Sequence, residues 1–342
     1  MKKTAILLLS VLAAGMLVSV LMPLLFRADL FAKPAASQPA LLLRYADNQP
    51  EGYPTTQAAA YFAELVEERT DGNIIIRIFP DSVLGNELSV YHQMQFGGID
   101  FARVSVSTLA EFVPGISILQ LPYLFTDAEH MWRVLDGDIG NDLLASIASS
   151  GVIGMSWFDA GSRNIYTKIP IQSLDDLKGL RIRVQESDFH SRMVSLWGAV
   201  PEQISYESVY SALQTGRIDG AENNWPSYEA TGHYEVAPYY LLDAHARLPE
   251  VQLISENALE EIRALDETYA DTVLQCATEA ALYERKLWKE REALSESIIR
   301  DSGCIVTQLS EKELQRFQDA VAPIYEEFTG EEAAMIARIQ GS

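Results

Sequence analysis

Residues 41–79 read LLLRYADNQPEGYPTTQAAAYFAELVEERTDGNIIIRIF, and their pattern indicates the fold class. The apolar run 41–46 predicts a strand, and apolar side chains at helical spacing predict a helix over 56–69. The β-branched run 73–79 predicts a second strand, joined to the helix by a turn at Asp71 and Gly72. This strand–helix–strand unit is typical of α/β proteins with mainly parallel sheets and helices on both faces.

The alternation of strands and helices continues along the chain. Further strands are predicted at 99–104, 152–158, 165–169 and 180–184 and near Gln203, and further helices after Ser82 and at 129–148, 173–177, 189–196, 206–215 and 312–339. The charged stretch 258–297 contains neither glycine nor proline, which predicts a nearly continuous helix. A coiled coil is the weaker alternative, because the apolar residues keep no sustained seven-residue repeat.

Length and charge limit the architecture and the partners. A chain of 342 residues is longer than one hydrophobic core usually serves, so two lobes are expected, and an apolar content of 48% excludes disorder. A formal net charge of -22 argues against binding to nucleic acid or to anionic lipid. An anionic ligand must therefore be held by locally placed arginines.

The N-terminus has the pattern of an export segment. Lys2 and Lys3 precede an uncharged, mostly apolar stretch over 4–26, which predicts a signal peptide. At this length the stretch could also span a bilayer, so an uncleaved membrane anchor remains open. Residues 1–39 are assigned to the signal or anchor plus a leader, and the rest of the chain is expected outside the cytoplasm.

The two cysteines leave an alternative open. Cys276 and Cys304 could form a disulfide in an exported protein. Two free thiols are equally compatible with the sequence, because their spacing does not fix their separation in space.

Arg183 is a candidate carboxylate ligand in this acidic chain. In a strand over 180–184 the apolar residues share one face and leave Arg181 and Arg183 on the other. A guanidinium offers a planar fork of donors that fits a carboxylate with two bonds, which lysine does not. The competing interpretation is a surface arginine paired with one of three acids, Asp175, Asp176 or Glu186.

Polar residues follow several predicted strands. They occupy 48–54, Ser105, 162–164, 183–187 and 222–225. Ligands of open parallel sheets bind at the carboxyl ends of the strands, so these loops are expected to meet at one cleft.

No pattern for catalysis or metal binding accompanies this cleft. The five histidines lack zinc-site spacing, and no phosphate loop, nucleophile elbow or kinase signature occurs. The sequence therefore predicts a binding protein rather than an enzyme, with neither cofactor nor metal.

Four segments carry a resemblance to a known family. They are PDSVLGNE at 80–87, LPYLF at 121–125, DLKGLRIRV at 176–184, and SVYSALQT at 208–215 running into IDGAEN at 218–223. At these residues the chain resembles the solute-binding proteins of tripartite ATP-independent periplasmic (TRAP) transporters, the DctP-like family. The similarity covers about residues 41–335.

The resemblance implies a two-lobed periplasmic-binding-protein-like fold with a ligand cleft between the lobes and a long helix crossing both. Lobe I is expected to comprise 40–160 and 249–288, and lobe II 161–248 and 289–342. It also implies that Arg183 holds the ligand carboxylate, that Arg163 and Asn223 assist, and that Asn48 and Glu87 reach the rest of the ligand.

The remaining candidates complete the expected site. His245 matches a position near the cleft, and Ser105 stands where some acid-sugar binders of the family have a glutamate. Gln49 and Glu186 lie in the ligand-facing loops. Trp225 could lie against the apolar face of a sugar ring, or could serve packing between the lobes. The segments NQPE at 48–51 and ENNWPSY at 222–228 resemble the subset that binds hexuronates.

The expected function is extracytoplasmic capture of a carboxylate ligand, a sugar acid such as a hexuronate. The ligand would be delivered to the membrane subunits of a TRAP transporter driven by an ion gradient. One alternative is a protein that presents the ligand to a membrane sensor. Another is an exported hydrolase of acidic sugars, which needs two carboxylates about 5–10 Å apart, drawn from Glu51, Glu87, Glu186 and Glu222.

Overall fold

The computed structural model of the protein describes residues 39–342, so the expected signal or anchor lies outside the described residues. Within 39–342, no helix combines the length and the apolar character that a bilayer crossing requires. Ala40–Ser342 forms one compact unit.

The strands of the described part alternate with helices, as the sequence predicts. The strands are β1 Leu41–Ala46, β2 Ile74–Phe79, β3 Phe101–Ser105, β4 Val152–Phe158, β5 Ser162–Thr167, β6 Arg181–Val184, β7 Val200–Gln203, β8 Gly220–Asn223, β9 Tyr239–Arg247, β10 Glu250–Ser255 and β11 Ile305–Gln308. The α-helices are α1 Pro54–Arg69, α2 Glu87–Gln95, α3 Val106–Leu109, α4 Ala128–Leu135, α5 Asp138–Ser146, α6 Asp188–Leu196, α7 Val209–Gln214, α8 Trp225–Ala230, α9 His233–Val236, α10 Glu256–Leu265, α11 Glu267–Asp301, α12 Glu311–Val321 and α13 Gly330–Gln340. Short 3₁₀ helices cover Pro114–Gln120, Ile147–Ser150, Leu174–Leu177, Tyr206–Ser208 and Ala322–Glu327.

The strands form two sheets, one in each lobe. The first has the order β2-β1-β3-β10-β4 and the second the order β11-β9-β5-β8-β6-β7. In each sheet one strand runs antiparallel to the others, β10 in the first sheet and β5 in the second. The long helix α11 packs against α1 and β4 of the first lobe and against α8 of the second. The predicted two-lobed α/β fold with mainly parallel sheets is confirmed.

Each sheet carries its own aromatic core. In the first lobe the rings of Tyr45 and Phe101 stack with centroids 6.3 Å apart, and Phe62 of α1 packs edge-on against Phe101. In the second lobe the rings of Tyr166 and Tyr240 are parallel, with centroids also 6.3 Å apart. These rings are fully buried, and they hold the strands whose ends carry the cleft residues.

Three predicted helices are interrupted, and their predicted continuity is wrong. The stretch 312–339 consists of α12, a 3₁₀ helix and α13, with Phe328 and Thr329 between the last two. The stretch 258–297 breaks at Asp266, which has an extended backbone and accepts a hydrogen bond from the Thr268 amide at 2.8 Å. This side chain caps the start of α11, which favours a new helix over continuation of α10. The stretch 129–148 likewise divides into α4 and α5 around Gly137, the residue before α5.

Three strands are absent from the sequence prediction, β9, β10 and β11. All six residues of β10 are buried, including Glu250 and Gln252, although its first four residues alternate between polar and apolar as in a half-exposed strand. Of the two alternatives for the cysteines, the structure has free thiols: Cys276 is buried and Cys304 is partly exposed.

Candidate ligand-binding site

A pocket lies between the two sheets, at the edge of each sheet where its parallel strands end. The carboxyl ends of β1, β6, β7 and β8 reach this edge. The opposed strands β10 and β5 bring their amino ends to it, because Glu250 pairs with Ser105 at the end of β3, and Asn164 pairs with Asn223 at the end of β8. The polar loops that the sequence analysis singled out therefore converge here, although two of the strands run the other way.

Every residue that lines the pocket is polar or charged. The space measures about 540 Å³ when the open solvent at its mouth is included. The lining residues are Asn48, Gln49, Asn86, Glu87, Arg103, Thr108, Arg163, Arg183, Gln185, Glu186, Ser205, Tyr206, Glu207, Asn223, Asn224, Ser227 and Glu250. Such a wall suits a small ligand with many hydrogen-bonding groups.

Arg183 is a buried cation whose donors are largely unused. Its side chain lies in the pocket wall, and the whole residue is only 3% exposed. One of its five N–H groups, on Nε, donates to the Ile204 carbonyl at 2.7 Å. The other four N–H groups have no acceptor among residues 39–342. Burial lowers the pKa of the guanidinium, against the opposing charge of Glu222, as expected for a cation that lacks a contacting anion.

The interpretation of Arg183 as a surface arginine paired with a nearby acid is contradicted, because the candidate acids have other partners or lie too far away. Asp175 pairs with Lys178 at 2.6 Å and with Arg316 at 2.9 Å. Asp176 accepts hydrogen bonds from the backbone and hydroxyl of Ser173. Within the described chain, no carboxylate, Glu186 included, lies within ion-pair distance of Arg183.

Arg163 is held beside Arg183 by Glu222. Arg163 directs Nε and both N–H groups of Nη2 at the Glu222 side chain and carbonyl, with Nη2 2.9 Å from Oε1 and 3.0 Å from the carbonyl oxygen. The two N–H groups on Nη1 keep no partner in the part of the chain described. Burial alone would raise the pKa of Glu222, but the charge and hydrogen bonds of Arg163, together with the nearby His245, outweigh it, and the pKa is lowered. Glu222 is therefore an anion that orients Arg163.

His245 completes this network behind the pocket wall. Its Nδ1 lies 2.8 Å from Asp243 Oδ2, and its Nε2 lies 3.4 Å from Glu222 Oε2, an ion-pair distance too long for a good hydrogen bond. Burial would lower the pKa of His245, but Asp243 and Glu222 raise it to about 9. Within this network three positive groups (Arg163, Arg183 and His245) accompany two negative ones (Asp243 and Glu222), so one positive charge is not balanced inside it.

The pairing of His245 predicts a pH-dependent stability. Its pKa is about 9 in the folded protein and about 6.5 in an unfolded chain, so its contribution is complete below pH 6.5 and is lost as the pH rises towards 9. We expect the unfolding midpoint of the wild type to exceed that of His245→Gln by a few degrees (about 3 °C or more) at pH 6, and this gap to close by about pH 9.5. The matched control is His92→Gln at an exposed site, which should open no such gap. A gap for His245→Gln that widens with pH would contradict the assignment.

The first lobe supplies a different end of the pocket. Arg103, only 2% exposed, lies among Asp47, Glu87 and Glu250. Its Nη1 is 2.7 Å from Glu87 Oε1 and 3.0 Å from Glu250 Oε1. Its Nε and Nη2 donate to Asp47 Oδ1, and Nη2 also donates to the Asn48 side chain. Three acids therefore surround one arginine.

Seven of the predicted site residues line this pocket, and three lie behind its wall. Those in the wall are Arg183, Arg163, Asn223, Asn48, Gln49, Glu87 and Glu186. Of the others, His245 belongs to the network above, and Ser105 accepts from Gln185 Nε2 at 3.2 Å. Trp225 stacks on Tyr240 with ring centroids 3.9 Å apart, within the core of the second lobe. Ligand contact by all ten residues stays a prediction.

Several lining residues were missed by the sequence analysis. Glu250 opens β10, a strand that was not predicted, and Arg103 sits in the middle of a predicted strand, where an arginine normally faces solvent. Gln185 and Asn224 lie in loops that were singled out, but nothing in the sequence distinguishes them from their neighbours. An arginine in the short run FARVS is the one signal that could have been used.

Hydrogen bonds join the two lobes around the pocket. Tyr206 Oη donates to Gln49 Oε1 at 3.1 Å, and Ser107 Oγ donates to Gln185 Oε1 at 3.0 Å. The Tyr53 and Ser227 hydroxyls lie 2.9 Å apart. These hydrogen bonds connect the two sides of the cleft, so the lobes are in a closed arrangement.

Comparison with known proteins places this chain in a family. The sequence model of the bacterial extracellular solute-binding proteins, family 7 (DctP), matches residues 45–332. A solute-binding protein of Chromohalobacter salexigens is 36% identical over 283 residues, which is 82% of this chain and 83% of that protein.

Two solved structures show the same architecture. A TRAP periplasmic solute-binding protein from Xanthobacter autotrophicus Py2, with bound β-D-galacturonate, has a TM-score of 0.84 and 38% identity, and the match covers 88% of this chain and 99% of that one. Another from Pseudomonas putida F1, with bound D-glucuronate, has a TM-score of 0.84 and 34% identity, covering 88% and 97%. The chain therefore belongs to family 7 of the bacterial extracellular solute-binding proteins, the DctP family of extracytoplasmic binding proteins.

Proposed function

We propose that the protein captures a sugar acid, with a hexuronate as the leading ligand, and delivers it to the membrane subunits of a TRAP transporter. The observation that carries this proposal is Arg183, a buried cation with four unused N–H groups in an entirely polar pocket. A ligand carboxylate would supply the missing anion, with bonds to Arg183 and to the free Nη1 of Arg163.

The rest of the pocket suits the hydroxyl groups of a sugar. Asn48, Gln49 and Asn223 present amides, and Tyr206 presents a hydroxyl, so donors and acceptors are mixed along the wall. Binding of galacturonate and glucuronate by proteins of the same fold at more than 30% identity supports the choice of hexuronates.

The lobes of this binding protein are proposed to comprise 40–160 with 249–288, and 161–248 with 289–342. The distribution of strands supports this division, because the first sheet falls in the first set and the second sheet in the other. The last helix, α13, belongs to the second set by sequence but contacts the first lobe. His130 Nε2 of α4 lies 2.7 Å from the Ile339 carbonyl, so residues 330–342 pack on the first lobe.

Calorimetric titration tests the proposal. D-Glucuronate and D-galacturonate are expected to bind at one saturable site. D-Glucuronamide, the neutral control, should bind at least about 100-fold more weakly, because it leaves the buried guanidinium without an anion. NMR of the recovered ligand should show it unchanged. Equal affinity for acid and amide, or binding of neither uronate, would refute the proposal, and release of product from a chromogenic uronide would favour the hydrolase alternative.

A further inference from the structure

We propose that the pocket admits only one carboxylate, and that the Asp47, Glu87 and Glu250 carboxyls around Arg103 exclude sugar acids that carry a second one at the far end. This inference rests on the proposed function and narrows its ligand class to polyhydroxy monocarboxylates. Aldarates, which are sugar acids with a carboxylate at both ends, would be rejected. Uronates and aldonates, which end in hydroxyl groups, would be accepted.

Arg103 is already paired with acids of the protein itself. Of its five N–H groups, two are on Nη1, which donates to Glu87 and lies 3.0 Å from Glu250 Oε1, an ion-pair contact. The other three, on Nε and Nη2, point to Asp47 and Asn48. Arg183, by contrast, keeps four N–H groups for a ligand. The two ends of the pocket therefore differ in what they offer an anion, even though each contains a buried arginine.

The Arg103 end of the pocket also has an excess of negative charge. With Asp47 and Glu87 ionised against the single positive charge of Arg103, this end carries one negative charge even if Glu250 is neutral, and two if Glu250 is ionised. A carboxylate brought here would leave water, gain no arginine and face like charge, a juxtaposition that is strongly unfavourable at a buried site. A sugar hydroxyl meets no such penalty and can donate to the carboxylate oxygens.

Glu250 is the member of this group with an unpaired carboxyl oxygen among residues 39–342. It is 9% exposed and lines the pocket; Oε1 contacts Arg103, whereas the buried Oε2 has no partner among the described residues. Burial raises the pKa of Glu250 to about 8, with Arg103 opposing and Glu87 and Asp47 adding to the rise. Oε1 is the oxygen that lies 3.0 Å from Arg103 Nη1, so a proton on this carboxyl belongs on Oε2.

The test compares two open-chain acids that differ only at the far end. D-Gluconate ends in a CH₂OH group where D-glucarate has a second carboxylate, so the comparison separates charge from ring shape. By calorimetric competition against D-glucuronate on the wild-type protein, gluconate is expected to bind at least about 10-fold more tightly than glucarate. Equal affinities, tighter glucarate binding, or no gluconate binding would overturn the proposal while uronate binding still stood. Failure of glucuronate itself to bind would instead overturn the proposed function first.

A second experiment varies the pH to test whether Glu250 contributes to the exclusion of a second carboxylate. The charged and titratable groups around it are Arg103, Asp47, Glu87, Arg163, Glu284, Tyr45, Tyr53 and Tyr206. Between pH 6.5 and 9, ionisation of Glu250 should widen the ratio of glucarate to gluconate dissociation constants by at least about threefold. Groups that titrate at the Arg183 end, including His245, should affect the binding of both acids equally, because both place a carboxylate there. Their effect therefore cancels in the ratio of dissociation constants.

Two variants complete the design. Glu250→Gln should keep the exclusion at pH 6.5 and show a ratio that does not change with pH. Glu51→Gln removes a charge at an exposed position outside the pocket and should keep the wild-type pH response. A wild-type ratio independent of pH, or the same pH response in Glu250→Gln, would overturn the role given to Glu250.

Discussion

Arg183→Ala is expected to weaken uronate binding by roughly 30- to 1,000-fold, the equivalent of about 2–4 kcal/mol. The variant removes the four N–H groups that await the ligand carboxylate. It also removes a buried cation that has no contacting anion in the described chain, so the free protein should be as stable as the wild type or more stable. Calorimetry for binding and thermal unfolding for stability measure the two effects separately.

Arg181→Ala is the matched control for this prediction. It lies two residues away on the same strand, but it is partly exposed and pairs with Asp219 at 2.7 Å. Loss of such a surface pair changes stability by about 1 kcal/mol or less and should leave uronate affinity within about threefold of the wild type. If Arg183→Ala binds uronate as the wild type does, or if both variants lose binding equally, the anchor is misassigned.

Arg103→Met is expected to destabilise the folded protein by about 3–5 kcal/mol. The variant keeps much of the side-chain volume but leaves Asp47, Glu87 and Glu250 facing one another without a positive charge. The unfolding midpoint at pH 7 should fall by at least about 5 °C. Part of the loss should be recovered at lower pH, where protonation of the carboxyls relieves their repulsion.

Arg69→Met is the control for the stability measurement. Arg69 makes a two-bond pair with Glu279, at 2.8 Å and 2.6 Å, but both side chains are substantially exposed. Its removal should cost about 1 kcal/mol or less. An unchanged unfolding midpoint in Arg103→Met would mean that the buried acids do not depend on this arginine, and would weaken the basis for exclusion of a second carboxylate.

The part of the fold that depends on local pattern could be predicted from the sequence. The strand predicted at 152–158 is β4, Val152–Phe158, and the opening unit is β1, α1 and β2 within two or three residues. These segments have strong strand or helical patterns that tertiary contacts reinforce. The break at Asp266 was missed because a capping aspartate and an ordinary helix-surface aspartate look the same in a charged run.

In the candidate site, too, some residues could be predicted from the sequence and others could not. Arg183 could be singled out because an arginine in an apolar strand of an acidic chain is unusual, and the polar loops follow strand ends. Glu250 could not be found, and Arg103 was indicated only by its place in the run FARVS, because the burial of each depends on the other and on Asp47 and Glu87, which are distant in sequence. A polar residue in a buried strand is stabilised only by partners that the fold brings to it.

A crystal structure of the complex with D-galacturonate or D-glucuronate tests the central claim most directly. We predict the ligand carboxylate against Arg183, with oxygens about 2.7–2.9 Å from its Nη atoms, and the ligand hydroxyls towards Arg103 and Glu250. A carboxylate bound at the Arg103 end, with the four free N–H groups of Arg183 left without the ligand, would contradict this account.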